Sequence, residues 1–363
     1  MSRWTVAPLL AFWLLGSACA TDDAKPADQG RTVAEPATAA GEPSSAKGAI
    51  AVSCAMDDAI EAKERIALVA RARELLAALR EDQHGALWEA LHPQAKHPEG
   101  ERAFLDTLAI LAGRVKDAPP GESAVEAVAF GHVSGGVNDL ARLLCREGDK
   151  TDGPPALTLL VNAGDEDIGY VSLIIPGPVY EHTAVIKLRK HDTWRLLGIQ
   201  VHPSRFRRRG ATEWISVAGK LRRASKLVPA YAALAMAGAM ASRGPSVSTP
   251  ISAAIEEDLV RLREHPLFVA ETKAWVIDGQ DFNLHGLSLA ATQSDVSLVV
   301  KYVNRGGLVE ELVGRDADKL MDHVRTQYPD LRDIVDAVVF EAYATPPSKA
   351  GETVDAFRVA RFF

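Results

Sequence analysis

The chain is poor in cysteine, in aromatic residues and in long apolar runs, and each shortage excludes a class of protein. Three cysteines among 363 residues are too few for a disulfide-built scaffold and too scattered for a zinc site. Aromatic residues make up 6% and the formal net charge is −7, so nothing indicates binding to nucleic acid. No apolar run reaches the roughly 20 residues that a membrane-spanning helix needs. The composition is typical of a globular chain with about two domains.

Common catalytic signatures are missing as well. The sequence contains no HExxH, GxSxG, GxGxxG or CxxC motif and no Walker loop. Its ten histidines are dispersed, and no two have the spacing of a helical metal site. The acidic residues Asp165, Glu166 and Asp167 lack the twelve-residue calcium loop, so a solvated turn is the better interpretation. The sequence therefore predicts neither a metal nor another cofactor.

The first 19 residues have the pattern of a secretory signal. Arg3 precedes the ten-residue apolar run Val6 to Leu15, and small residues follow that run. The segment from Leu15 to Cys19 resembles the lipobox of bacterial lipoproteins, in which the cysteine becomes the lipid-bearing first residue. Here Leu15 lies one position earlier than is usual for that motif. Cleavage after Ala20, at a small-x-small site, is the alternative. The favoured interpretation is a signal peptide over 1–19 and lipid attachment at Cys19, which implies a partner membrane.

Residues 20–50 are predicted to be a disordered tether. They are rich in Ala, Pro, Gly, Ser, Thr and charged residues, and they hold too few large apolar side chains to bury a core. Export would place the folded body in an oxidising compartment, the bacterial periplasm or outer membrane. There Cys54 and Cys145 can form one disulfide, although two buried free thiols are the alternative.

The segment 51–203 is predicted to be an α+β domain, with amphipathic helices before a set of strands. Ile66, Val69, Leu76 and Leu79 share one stripe of the first helix. Alternating apolar residues and turn clusters mark the strands. The predicted helices are 57–81, 85–91 and 101–115, and the predicted strands are 124–130, 156–161, 168–175, 179–190 and 193–201.

Two segments of this domain are similar to parts of a known superfamily. Residues 82–93 (DQHGALWEALHP) resemble a helix, and residues 181–198 (EHTAVIKLRKHDTWRLLG) resemble a terminal hairpin, of NTF2-like (cystatin-like) domains. The resemblance covers about residues 55–203. It implies three helices packed on a curved antiparallel sheet. Members of the superfamily include enzymes, binding modules and lipoproteins, so the resemblance does not assign a function.

A basic connector, 204–250, precedes a second α+β domain over 251–363 with an antiparallel sheet. In the connector a helix over 212–241 is expected to be interrupted at Pro229. The second domain is expected to hold helices 251–264 and 316–327 and strands 268–277, 282–290, 296–303, 336–343 and 353–361. The candidate basic patch could contact anionic envelope groups, although a solvated connector is the favoured interpretation. The arginines of this patch are Arg205, Arg207, Arg208, Arg209, Arg222 and Arg223.

A candidate pocket can be drawn between the helices and the sheet of the first domain. Trp88 and His92 share a helix face, and Tyr180 and His182 share a strand face near Trp194. An acid/base pair there could transfer protons. The alternative interpretation, which is favoured, places both tryptophans in the core and lets His92 cap a helix end.

The sequence therefore favours an exported, lipid-anchored envelope protein that acts as a non-catalytic binding or assembly module. Its partner would be an envelope protein or a small ligand. An exported enzyme of isomerase or hydrolase type is the alternative.

Overall fold

Helices and strands follow the hydrophobic patterns of the chain over most of its length. The computed structural model describes residues 51–116, 123–135, 140–148, 153–162, 164, 166–177, 180–291, 296–304, 306–348, 352 and 354–363. The helices are α1 Ala62–Arg80, α2 His84–Glu89, α3 Glu101–Val115, α4 Ala211–Arg223, α5 Leu227–Ala241, α6 Pro250–Glu264, α7 Pro266–Lys273 and α8 Glu310–Gln327. The strands are β1 Ala51–Met56, β2 Ala124–Ser134, β3 Leu140–Glu147, β4 Leu157–Asn162, β5 Glu166–Ile175, β6 Tyr180–Lys190, β7 Trp194–Phe206, β8 Val247–Ser248, β9 Ala274–Ile277, β10 Gln280–Ala291, β11 Val296–Val303, β12 Ala337–Tyr343 and β13 Ala356–Phe362.

The first sheet is mixed and curls into a half-barrel. Its strand order is β7-β6-β5-β2-β1-β3-β4-β8. Helices α1 to α3 cover one face, where Leu68, Leu108 and Ile186 are fully buried. The inside of the curl holds a second apolar cluster, which includes Leu143 and Val185. Both faces of β5 and β6 are therefore buried, and this explains their nearly continuous apolar sequences.

The second sheet has the order β13-β12-β11-β10-β9. The β9–β10 hairpin turns at Asp278 and Gly279, which both have positive φ, as a two-residue turn between twisted strands requires. Helix α8 connects β11 to β12, which pair in parallel. Such a parallel pair needs a long crossover, and a helix is its usual form.

Helix α5 lies at the centre of a third core. Most of its side chains are buried on every side, and the helix packs against β7, α4, α6, α7 and β10. Its core cluster continues from Tyr180 and Phe206, at the end of the first sheet, to Phe340 in the second sheet. Residues 50–363 form one compact unit. Among the described residues, no helix combines the length and the apolar character that crossing a membrane requires.

The expected strand over 268–277 is wrong in its first half. Helix α7 occupies Pro266–Lys273, and only Ala274–Ile277 is extended. Pro266 fits the first helical turn, whose N–H groups have no intrahelical partner, and the helix buries Phe268.

The expected break at Pro229 is also misplaced. The chain breaks at Ser225, where φ is 59°, and Pro229 lies in the first turn of α5.

The expectation of purely antiparallel sheets is wrong for one pair of strands in each sheet. β1 pairs in parallel with β3, at Ala55 with Arg146, and β11 pairs in parallel with β12. The sequence patterns do not indicate β1 or β3, and β1 inserts between β2 and β3.

Ile66, which was expected on the buried stripe of the first helix, is 68% exposed, because the stripe is centred on Leu68 and Leu75 instead.

Cys54 and Cys145 form a disulfide that joins β1 to β3. Their Cα atoms lie 4.8 Å apart. Cys145 is buried inside the curl of the sheet. The predicted signal peptide 1–19, its lipid site Cys19 and the predicted tether 20–50 lie outside the described residues.

Candidate functional site

The residues of the predicted pocket lie at two ends of the β6–β7 hairpin. Trp88, His92 and Trp194 lie near the tip, where β6 ends at Lys190, and the backbone N–H of His92 donates to the carbonyl of Leu196 over 2.7 Å. Tyr180 and His182 lie at the other end of β6. Lys190 lies eight residue steps after His182 along the strand, which is about 25 Å. The five side chains therefore do not form one pocket.

Trp88 and Trp194 are core residues. Each is 7% exposed, and both belong to the cluster between α1–α3 and the sheet. Trp88 packs on Phe104 with ring centres 5.7 Å apart. Tyr180 belongs to a different cluster, where it stacks on Phe206 with centres 4.9 Å apart. These rings fill the space that an acid/base pocket would need.

His92 is buried, and its two ring nitrogens have different surroundings. Its Nδ1 accepts a hydrogen bond of 3.3 Å from the backbone N–H of Gln94, and it thereby caps the short 3-10 turn that begins at Pro93. Its Nε2 is buried and makes no hydrogen bond to the described residues. That atom lies 3.7 Å from Oε1 of Glu166. Burial lowers the pKa of His92, and the nearby Glu166 carboxylate opposes this shift.

Strand register brings Glu166 and His191 to the same place. Ile168 pairs with Arg189 across β5 and β6, so extending the register by two residues sets Glu166 opposite His191. The rings of His191 and His92 meet edge to face with centres 5.9 Å apart. We name His92, Glu166 and His191 the hairpin-tip cluster. They come from the loop after α2, the start of β5 and the turn after β6.

Two members of the hairpin-tip cluster, Glu166 and His191, line a cleft of about 370 Å³ whose lining residues are all polar. On its far side, Nδ1 of His132 lies 2.8 Å from Oδ1 of Asp167, because these two residues are directly paired across β2 and β5. Nζ of Lys190 lies 3.6 Å from Oδ2 of Asp167 and 3.1 Å from Glu64. The lining residues are His132, Glu166, Asp167, Lys190 and His191.

A buried arginine fixes the carboxylate of Glu166. Arg189 is 2% exposed and forms an ion pair with Oε2 of Glu166. It also donates to the carbonyl of Asn162 over 2.9 Å and to the side chain of Gln94. Because Arg189 holds Oε2 of Glu166, the other carboxylate oxygen, Oε1, faces His92. Two imidazoles and one carboxylate oxygen meet here, a group that can hold a cation or a shared proton.

A second polar cluster lies inside the curl of the sheet. Nζ of Lys187 donates to Oγ of Ser246, the residue before β8, and this bond connects β6 to the far edge of the sheet. Burial lowers the pKa of Lys187 to about 8. Nearby, Glu126 pairs with Arg243 over 2.6 Å and accepts a bond of 2.5 Å from Ser172. The signal in the sequence is a lysine within the apolar run of β6.

Two further histidines, His182 and His202, have lowered pKa values. Burial lowers the pKa of His202 to about 4, and the charges of Arg114, Arg243 and Lys187 add to the effect. Burial lowers the pKa of His182 to about 4 as well, with a contribution from Arg114. Neither histidine borders the 370 Å³ cleft.

The predicted basic patch is divided between ion pairs and exposed side chains. Arg205 lies 3.5 Å from Glu181, and Arg207 lies 2.5 Å from Asp336 in the turn before β12. Arg209 covers the ring of Trp214 at 5.1 Å. The exposed Arg208 follows Arg207, and the exposed pair Arg222 and Arg223 ends α4. Cations at a helix C-terminus complement its dipole, which gives the last pair a structural role.

The chain was compared with protein-family models, curated proteins and solved structures, and none of them matches it. The fold and the chemistry of the site therefore carry the functional argument.

Proposed function

We propose that this protein is an exported, lipid-anchored protein of the bacterial cell envelope that acts as a non-catalytic binding module. The observation that carries the proposal is the Cys54–Cys145 disulfide. Disulfides persist in oxidising compartments such as the periplasm. Because the chain has three cysteines, the bridge leaves Cys19 without another cysteine in the chain, as a lipid-bearing residue would be.

The binding role is supported by the filled space between the helices and the first sheet. Leu68, Leu87 and Leu108 are fully buried there, beside Trp88 and Trp194. A catalytic pocket of NTF2-like type would need this space to be open. The cleft at the hairpin-tip cluster is a polar concavity that a ligand could enter instead.

An NTF2-like arrangement of residues 55–203 is part of the proposal. Three helices precede the antiparallel strands β5, β6 and β7, and α2 lies within the resembling segment 82–93 around Trp88. The β6–β7 hairpin contains the second resembling segment and buries Trp194. These features support the arrangement, which then serves as a rigid frame for the hairpin tip.

Mass spectrometry of the mature N-terminus tests the envelope assignment. We expect a chain that begins at Cys19 and carries the added mass of its acyl chains. An unmodified terminus at Thr21 would overturn lipidation but support export. A chain that retains Met1 would overturn both.

A hydrolase is the second candidate, and the Lys187–Ser246 pair favours it. A lysine with a pKa near 8 can deprotonate a serine hydroxyl, and serine–lysine pairs serve as nucleophile and base in some hydrolases. A fluorophosphonate probe distinguishes the two candidates. Labelling of Ser246 that is lost in Ser246→Ala and kept in the exposed control Ser248→Ala would support the hydrolase, whereas the binding module predicts no labelling.

A further inference from the structure

We propose that His92, Glu166 and His191 bind a divalent transition-metal ion of the zinc class at the tip of the β6–β7 hairpin. One ligand atom from each residue lies within 4.8 Å of the other two. Nε2 of His92 and Oε1 of Glu166 are already 3.7 Å apart, close to the separation of two ligands on one tetrahedral ion. His191 lies on a turn and is 57% exposed, so its ring can complete the set by a rotamer change.

The buried nitrogen of His92 is an independent sign of a ligand. The side chain of His92 is only 3% exposed, and its Nε2 makes no hydrogen bond to the described residues. Buried polar atoms nearly always have a partner, and one without a partner needs an explanation. An ion held between His92 and Glu166 would provide that partner.

The donor set selects the class of metal. Two imidazoles and one carboxylate suit zinc, copper and nickel, whereas magnesium and calcium prefer sites built from oxygen. Three protein ligands would leave a fourth position open. Two of the three ligands, Glu166 and His191, also line the 370 Å³ cleft. We therefore infer an open site that could also hold a ligand group or water.

Neighbouring charges predict moderate affinity. Arg189 forms an ion pair with Glu166 and so places a positive charge beside the ion, which weakens binding. Asp167, which also lines the cleft, adds a negative charge that favours binding. Binding through Nε2 of His92 also requires the ring proton to move to Nδ1, which breaks the bond from Gln94. We expect weaker binding than at a closed structural zinc site.

Titration calorimetry of the full chain, purified without a histidine tag, tests the inference. We expect one zinc ion per chain and no binding of magnesium or calcium. His191→Ala should weaken zinc binding by about tenfold or more. The exposed His97→Ala, on the loop that follows His92, is the matched control and should bind zinc as the wild type does.

His191→Ala is preferred to His92→Ala because His191 is exposed, so its replacement should leave the fold intact. His92→Ala would remove a buried cap and could destabilise the fold. Circular dichroism should show unchanged secondary structure in both variants. Zinc should raise the melting temperature of the wild type and of His97→Ala but not that of His191→Ala. Absence of zinc binding to the wild type, or equal affinity in His191→Ala, would overturn the inference. The inference rests on the proposed binding role of this cleft, yet it is separable from the envelope assignment, because zinc affinity does not depend on how the N-terminus is processed.

Discussion

His202 illustrates how a single buried side chain connects fold stability to pH. Burial lowers the pKa of His202 to about 4 in the folded protein, and the positive charges of Arg114, Arg243 and Lys187 add to this effect. An unfolded chain would hold the same side chain near pKa 6.5. Between these two values the unfolded state binds more protons, so acid favours unfolding.

We predict that the free energy of unfolding falls between pH 7 and pH 5, with His202 contributing about 2 kcal/mol of the loss. His202→Gln removes the titrating group and should reduce the loss by about that amount. Urea unfolding at both pH values measures the difference. The exposed His265→Gln is the matched control and should lose as much stability as the wild type. An equal loss in His202→Gln and the wild type would contradict the assignment.

At the residue scale, the sequence predicted the burial of single side chains better than the contacts between residues that are distant in sequence. The favoured interpretation of Trp88 and Trp194 as core is confirmed. His92 is a cap, but it caps the start of the 3-10 turn that begins at Pro93 and not the end of α2. The hairpin-tip cluster was not predicted, because its three residues come from separate segments. Only the pairing register of β5 with β6, which is a tertiary property, brings Glu166 opposite His191.

At the scale of elements, the disulfide between β1 and β3 holds the curl of the first sheet. The two strands share a short parallel pairing, at Ala55 with Arg146 and at Met56 with Glu147, beside the bridge. The cysteines are 91 residues apart in sequence, so the bridge restricts a long loop of the unfolded chain.

We predict that reduction of this bridge lowers the free energy of unfolding by about 3 kcal/mol. Urea unfolding with and without dithiothreitol measures the effect. The double variant Cys54→Ser/Cys145→Ser should be as unstable as the reduced wild type, and dithiothreitol should not change it further. An oxidised wild type no more stable than the double variant would contradict the structural role of the bridge.

Periodicity was a good guide to elements with one buried face and a poor guide to the rest. Helix α3 has the predicted bounds, 101–115, and the strands β5 to β7 and β10 to β12 fall close to their predicted segments. Strand β3 escaped prediction because Leu140 and Leu144 are exposed while Leu143 and Cys145 are buried, so the alternation is hidden. The helix α7 was missed because its apolar residues alone do not distinguish a short helix from a strand.

At the scale of the whole molecule, α5 joins the two sheets through one continuous core. It packs against β7 of the first sheet and β10 of the second, and Arg207 after β7 pairs with Asp336 before β12. Contacts of this extent between two parts of a chain favour cooperative unfolding.

We predict one calorimetric transition for residues 50–363. Met236, in α5, is fully buried, so Met236→Ala should destabilise the chain by about 2–4 kcal/mol and shift the whole transition to lower temperature. The control variant is Ser216→Ala, at an exposed position of α4. It should leave the transition temperature unchanged. Two separate transitions, of which Met236→Ala moves only one, would indicate independent domains.

The proposed lipid anchor on Cys19 would decide where this folded unit acts. Acyl chains contribute about 0.8 kcal/mol for each CH₂ group that they bury in a membrane, so several chains on Cys19 would hold the protein there. We predict that Cys19→Ser moves the protein from the membrane fraction to the soluble fraction, while the control Ser44→Ala stays with the membrane. Fractionation followed by immunoblotting measures the distribution. A Cys19→Ser protein that still sediments with membranes would show that another feature of the chain provides the attachment.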